Sequence, residues 1–155
     1  MDSWKKLICK GNRSLERGRL DDAAGDYFAA LAEADRCLAC QAQACVEAEA
    51  SGGCAYLDAV AAVGAYVVTR LNLADLCLRL DRSEDAADHL RAMQARLSHI
   101  IDDGSQPWTL RAAALRNSRR AQDAVLSFVE EHGMSAAACA IEQRITHLPP
   151  SSVLH

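Results

Sequence analysis

The sequence predicts an all-α protein made of antiparallel helical hairpins, and three observations predict it. Apolar residues recur at three- and four-residue intervals almost throughout, and no segment alternates as a half-buried strand does. Glycine or proline with neighbouring Asp or Ser interrupts the pattern at short intervals, so successive helices fold back on one another. Half of the 155 residues are apolar but only 5% are aromatic. The core is therefore filled by Leu, Val, Ile and an excess of Ala, which suits helices that approach closely.

The pattern gives seven helices, at about residues 3–17, 21–50, 54–80, 84–101, 107–117, 120–132 and 135–147. Gly18 suits the end of the first, and Asp21 and Asp22 cap the second and complement its dipole. The second and third helices are joined by a tight reversal, "SGG" at Ser51 to Gly53, which makes an elongated central hairpin. Ser83 is the expected N-cap of the fourth. "DDGSQPW" from Asp102 supplies a loop, with Gly104 as stop and Pro107 at a permitted first-turn position. Residues 118–119 separate the fifth from the sixth, the seventh closes the domain over 135–147, and 148–155 is a proline-punctuated flexible tail. Residues 1–147 thus form one domain, a size that buries roughly two-thirds of the unfolded chain's surface.

Three stretches share a spacing of small and large residues. In the first, Leu7, Gly11, Ala23, Tyr27 and Ala30 fall at positions 4, 8, 20, 24 and 27 of a unit that starts at Trp4, with Gly18 at its turn. In the second, Ala74, Ala86 and Leu90 occupy positions 8, 20 and 24, while Arg70 at 4 and Met93 at 27 depart from the pattern. In the third, Trp108, Ala112, Ala124 and Phe128 occupy 4, 8, 20 and 24, and Glu131 at 27 departs. This pattern resembles the tetratricopeptide repeat. The units would span about 4–37, 67–100 and 105–133, out of strict tandem because of the long central hairpin. The overall plan is also similar to small bacterial tetratricopeptide-like proteins of unknown function.

The resemblance implies a right-handed α-α superhelix whose first helices of each pair line a concave face. It also implies a non-enzymatic function: an adaptor or chaperone-like scaffold that binds a protein or peptide segment on that face. Repeat positions 2, 5, 6, 9 and 12 would supply the groove from Lys5, Ile8, Asn12 and Leu15, then Leu71, Asn72, Asp75 and Leu78, then Thr109, Ala113 and Arg116. Members of the family that grip a C-terminal carboxylate pair two asparagines with cations. Here Asn12 and Asn72 match, but Ile8, Gln106 and Leu110 stand where cations would, so a strong charge-assisted grip is not expected.

Other classes draw less support. The net charge of −4 provides no basic field for nucleic acid or anionic lipid. No uninterrupted apolar run reaches membrane-span length, and "AVAAVGAYVV" from Ala59 reads as a buried helix. Seven cysteines without a secretion signal point to reduced thiols and a cytoplasmic location. Cys37, Cys40 and Cys45 could hold a soft metal or sense redox state, but a helical CxxC without a second knuckle is better read as small residues packed in the hairpin, with Gly64 opposite Cys40. The five histidines form no ligand or catalytic spacing, although Asp85 and Asp88 flank His89. No phosphate loop or nucleophile elbow occurs, so neither an enzyme nor a cofactor is expected. "RNSRRAQD" from Arg116 is the most basic run and reads as a solvated junction between helices. A second reading keeps the fold and makes the 38–80 hairpin a homodimer contact.

Overall fold

A computed structural model describes residues 1–133. Five helices run through them: α1 (Asp2–Glu16), α2 (Leu20–Ala50), α3 (Tyr56–Arg79), α4 (Ser83–Asp102) and α5 (Trp108–His132). No strand occurs among the described residues. The all-α class is as the sequence predicts, and each helix packs antiparallel on the next. The predicted capping helix at 135–147 and the tail at 148–155 lie outside the described residues.

The first hairpin is closed by shape. Gly18 adopts φ +71°, in the left-handed region that glycine enters without penalty, and reverses the chain between α1 and α2. Seven residues back, Gly11 lies beneath the Tyr27 ring, and a methyl group built there would stand 2.5 Å from Tyr27 Cε1. No side chain fits that gap, so the helices approach only because residue 11 has none. Ala23 and Ala30 are fully buried beside Tyr27, and Ile8, Leu73 and Leu76 complete this cluster.

The long second hairpin turns at Gly52, φ +74°. Its outgoing helix, α3, is central: it packs on α2, α4 and α5. By length and composition α3 is apolar enough to cross a membrane. Val63, Tyr66, Val67, Leu73 and Leu76 are buried against the neighbouring helices, whereas Leu57 at the start of α3 is exposed. Gly64 does not meet Cys40 as expected. It faces α5, where Asn117 Oδ1 lies 3.4 Å from the place of a Cβ, and Cys40 is exposed on α2.

The predicted pair of helices at 107–117 and 120–132 is one continuous helix, so five helices stand where six were expected over these residues. The expected junction falls at 118–119, beside Asn117 and Ser118, whose side chains can compete with helical backbone bonding. Here they bond back within the helix, Asn117 Nδ2 to the Ala113 carbonyl at 2.9 Å and Ser118 Oγ to the Leu115 carbonyl at 2.7 Å. With no Gly or Pro between 108 and 132, nothing stops the helix. Ala112 and Ala124 consequently sit on one rod, about 18 Å apart at 1.5 Å per residue, and cannot be the crossing of two helices.

The helix starts also differ in detail. Arg19 and Arg82, not Asp21 or Ser83, occupy the N-cap positions of α2 and α4, and neither helix has a side-chain cap. Asp85 is drawn away to Arg82 at 2.6 Å. The α4–α5 loop is held by Asp103, whose carboxylate accepts from Ser105 N at 2.9 Å, Ser105 Oγ at 2.6 Å and Gln106 Nε2 at 3.0 Å. Those donors lower its pKa to about 2.

Contacts between non-consecutive helices order the layers. Trp4 and Asn12 of α1 meet Thr69 and Asn72 of α3, and Gly64 of α3 meets Asn117 of α5. Phe28 and Leu38 of α2 lie near His89 and Ile100 of α4. Helices α1, α3 and α5 therefore run one way, and α2 and α4 the other.

Candidate interaction surface

The α1–α3 contact is built from polar side chains on adjacent helices. Trp4 Nε1 donates to Thr69 Oγ1 at 2.8 Å, and Thr69, fully buried, donates onward to the Ala65 carbonyl at 2.8 Å. Eight residues along α1, Asn12 Oδ1 accepts from the Tyr27 hydroxyl at 2.7 Å and from Asn72 Nδ2 at 3.5 Å. Burial raises the Tyr27 pKa, with the nearby Asp75 carboxylate adding to the rise, so the phenol remains a donor. Asp75 pairs with Arg79 on the same helix at 2.9 Å.

The eleven residues assigned to the groove divide into three groups. Lys5, Asn12, Asp75 and Arg116 are exposed, and Asn72 is half-buried beside Asn12. Leu15, Leu71 and Leu78 are partly buried, each leaning on the core. Ile8, Thr109 and Ala113 are core residues and offer nothing to a partner. For Thr109 the reason is clear: α5 did not break, and its first turn is tied to the end of α2. Glu49 Oε1 accepts from Thr109 N at 3.0 Å and Thr109 Oγ1 at 2.7 Å, and Oε2 accepts from Trp108 N at 3.4 Å. Burial would raise the Glu49 pKa, but those three donors outweigh it and hold it below its ordinary value. This cap spans 60 residues of sequence, and no local motif announces it.

A second constellation lies between α2 and α4 over α3. Arg70 Nε donates to the Tyr66 hydroxyl at 3.2 Å, its guanidinium lies 5.3 Å from the Tyr66 ring centre, and Nη1 lies 3.2 Å from His89 Nδ1. Phe28 of α2 completes it, 6.1 Å from the His89 ring. Burial, followed by the Arg70 charge, lowers the His89 pKa. Sequence reading missed this group. It judged Arg70 only as a departure from a repeat and His89 only beside Asp85 and Asp88, which pair instead with Arg82 and Arg91, each at 2.6 Å.

A recess of about 410 Å³ sits at the α1–α2 turn. Two ion pairs lie in it, Lys10 with Asp26 at 2.7 Å and Arg19 with Asp22 at 3.6 Å, beside Arg13, Arg17 and Asp21, and the buried Asp26 Oδ2 has no donor among the described residues. The cysteines diverge. Cys45 is buried, Cys37 is half-buried near Glu33, and Cys40 is exposed. No group of three or more His, Cys, Asp or Glu side chains among the described residues is placed to share a metal ion.

These features define an all-α protein, with five antiparallel helices among the described residues and polar side chains gathered where non-consecutive helices meet. The chain belongs to a family described as "Protein of unknown function (DUF2753)", whose model matches residues 2–148. No curated protein and no solved structure matches it.

Proposed function

We propose that this chain is a cytoplasmic, non-enzymatic adaptor with a tetratricopeptide-like plan, binding a protein or peptide segment on the face formed by α1, α3 and α5. The observation that carries the reading is the meeting of Asn12 and Asn72 across α1 and α3, 60 residues apart in sequence. Two carboxamides side by side on adjacent parallel helices can donate to and accept from an extended peptide backbone, while Leu71 and Leu78 supply apolar contact. The buried Ala74, Ala86 and Leu90 of the α3–α4 hairpin support a repeat of the plan set by Gly11, Ala23 and Tyr27. Because α5 is continuous, it serves as a long first helix of a third unit. A pull-down from the native cytoplasm tests the reading. The wild-type protein should retain a partner that Asn12→Ala with Asn72→Ala releases, and equal capture by both removes Asn12 and Asn72 from the function.

A specific observation favours self-association through the 38–80 hairpin as a second reading. Val46, Leu57 and Trp108 are 49%, 77% and 58% exposed at the end of the molecule where Glu49 joins α2 to α5. Light scattering of the wild-type protein and Leu57→Glu at low concentration separates a dimer from a monomer.

A further inference from the structure

We propose that the Arg70–His89–Phe28 cluster is a binding site for an acidic peptide segment, in which a carboxylate sits on Arg70 and His89 and a neighbouring aromatic side chain rests on Phe28. The site lies between α2 and α4 and is separate from the α1–α3–α5 face, so its failure would leave that face untouched.

A half-buried guanidinium is ordinarily matched by a carboxylate, because its desolvation is otherwise uncompensated. Arg70 has no such partner among the described residues: both of its hydrogen bonds go to uncharged acceptors, the Tyr66 hydroxyl and His89 Nδ1. The nearby acids Asp85 and Asp88 are committed to Arg82 and Arg91, and Glu33 to Arg36 at 2.6 Å. Of the five N–H donors that a guanidinium offers, two are used. Arg70 Nη2 has no hydrogen-bond partner among the described residues and is not fully buried.

His89 contributes a second donor through its tautomer. Nδ1 faces an Arg70 N–H and must present its lone pair, so the ring hydrogen is on Nε2, which has no partner among the described residues and is not fully buried. Burial beside Arg70 keeps the ring neutral, and a neutral imidazole in that tautomer both positions the guanidinium and offers its own N–H. The bonds to Tyr66 and His89 hold the fork in place, so little side-chain entropy remains to be lost on binding. Phe28, 54% exposed, provides an uncovered apolar surface at the same point.

The surrounding charge selects the kind of anion. One fixed cation, with Asp85 and Asp88 near and the exposed Asp35 two turns along α2 from Phe28, suits a single negative charge. A phosphate dianion or a nucleic acid would meet those carboxylates and a chain of net charge −4. A separate small recess of about 60 Å³ lies further along the same two helices, between Leu38 and Ala42 of α2 and Arg96 and His99 of α4.

The test is a nuclear magnetic resonance titration of the full chain with the blocked tetrapeptide acetyl-Ser-Glu-Phe-Ser-amide and its Gln counterpart, following the Arg70 Nε–H, the His89 ring and Phe28. The Glu peptide should shift these three together and bind about tenfold more tightly than the Gln peptide. Arg70→Lys should weaken binding by about tenfold through loss of the planar fork. Asp35→Asn, an exposed change remote from the core, should strengthen it by about twofold, a gain that no loss of folding can mimic. Equal affinity for the two peptides, shifts centred on other residues, or equally tight binding of a ten-nucleotide single-stranded DNA at the same signals would overturn the proposal.

Discussion

The first hairpin and the α3–α4 hairpin are closed by different physics. Between α1 and α2 the closure is steric: Tyr27 fills the space left by Gly11, and its hydroxyl is tied off on Asn12. Between α3 and α4 the small residues Ala74 and Ala86 are also buried, but the rim is polar, with Arg70 bridging Tyr66 and His89. Close packing commits a surface to the fold, whereas a polar rim with unused donors leaves part of it free for a ligand. The same alternation of short reversals thus yields one hairpin whose inner face is closed by fit and one whose rim keeps unused donors.

The sharpest way to break this comparison is at Tyr27. Tyr27→Ala should cost about 3–5 kcal/mol, measured by urea denaturation, because it opens a cavity on Gly11 and strands Asn12. Gly11→Leu should cost about 1–3 kcal/mol by overpacking, unless the whole α1–α2 angle changes. A stability indistinguishable from wild type for both would remove the steric account. Thr109→Val tests the long-range cap and should cost about 1 kcal/mol by the same measurement, since Glu49 loses its buried hydroxyl donor.

The polar rim predicts a pH effect that the steric hairpin lacks. The folded state lowers the His89 pKa, so between that value and the ordinary pKa of 6.5 the unfolded chain binds more protons than the native one. Stability from this group is therefore full above about pH 6.5 and declines as pH falls toward the lowered value. Urea midpoints measured from pH 7.5 to 5 should fall more steeply for wild type than for His89→Gln. A parallel pair of curves would show that His89 is not desolvated beside Arg70. The smallest effect belongs to the face proposed for partner binding: Asn72→Ala should change thermal stability by no more than about 0.5 kcal/mol while reducing capture.

What was legible in the sequence follows the range of the interactions involved. Local chemistry was readable: the left-handed turns at Gly18 and Gly52, the helical periods and the Gly11–Tyr27 approach all depend on residues within one hairpin. The continuity of α5 was misread because Asn117 and Ser118 carry the composition of a break, and only their back-bonding to Ala113 and Leu115 shows otherwise. The Glu49 cap and the Arg70–His89 pair join residues from different elements, with 60 and 19 positions between partners. No spacing rule reaches across such separations, so Thr109 was placed in a groove when it belongs to the core.

The two tryptophans report on opposite situations. Trp4 is partly buried with its indole N–H fixed on Thr69, whereas Trp108 is 58% exposed at the start of α5. Their emission should therefore separate, the first shorter in wavelength and shielded from aqueous quenchers, the second longer and readily quenched. With Trp108→Phe the remaining signal follows the docking of α1 on α3; with Trp4→Phe it follows whatever settles on the exposed end of the central hairpin. The chain thus contains an optical readout that distinguishes opening of its layers from occupation of its surface.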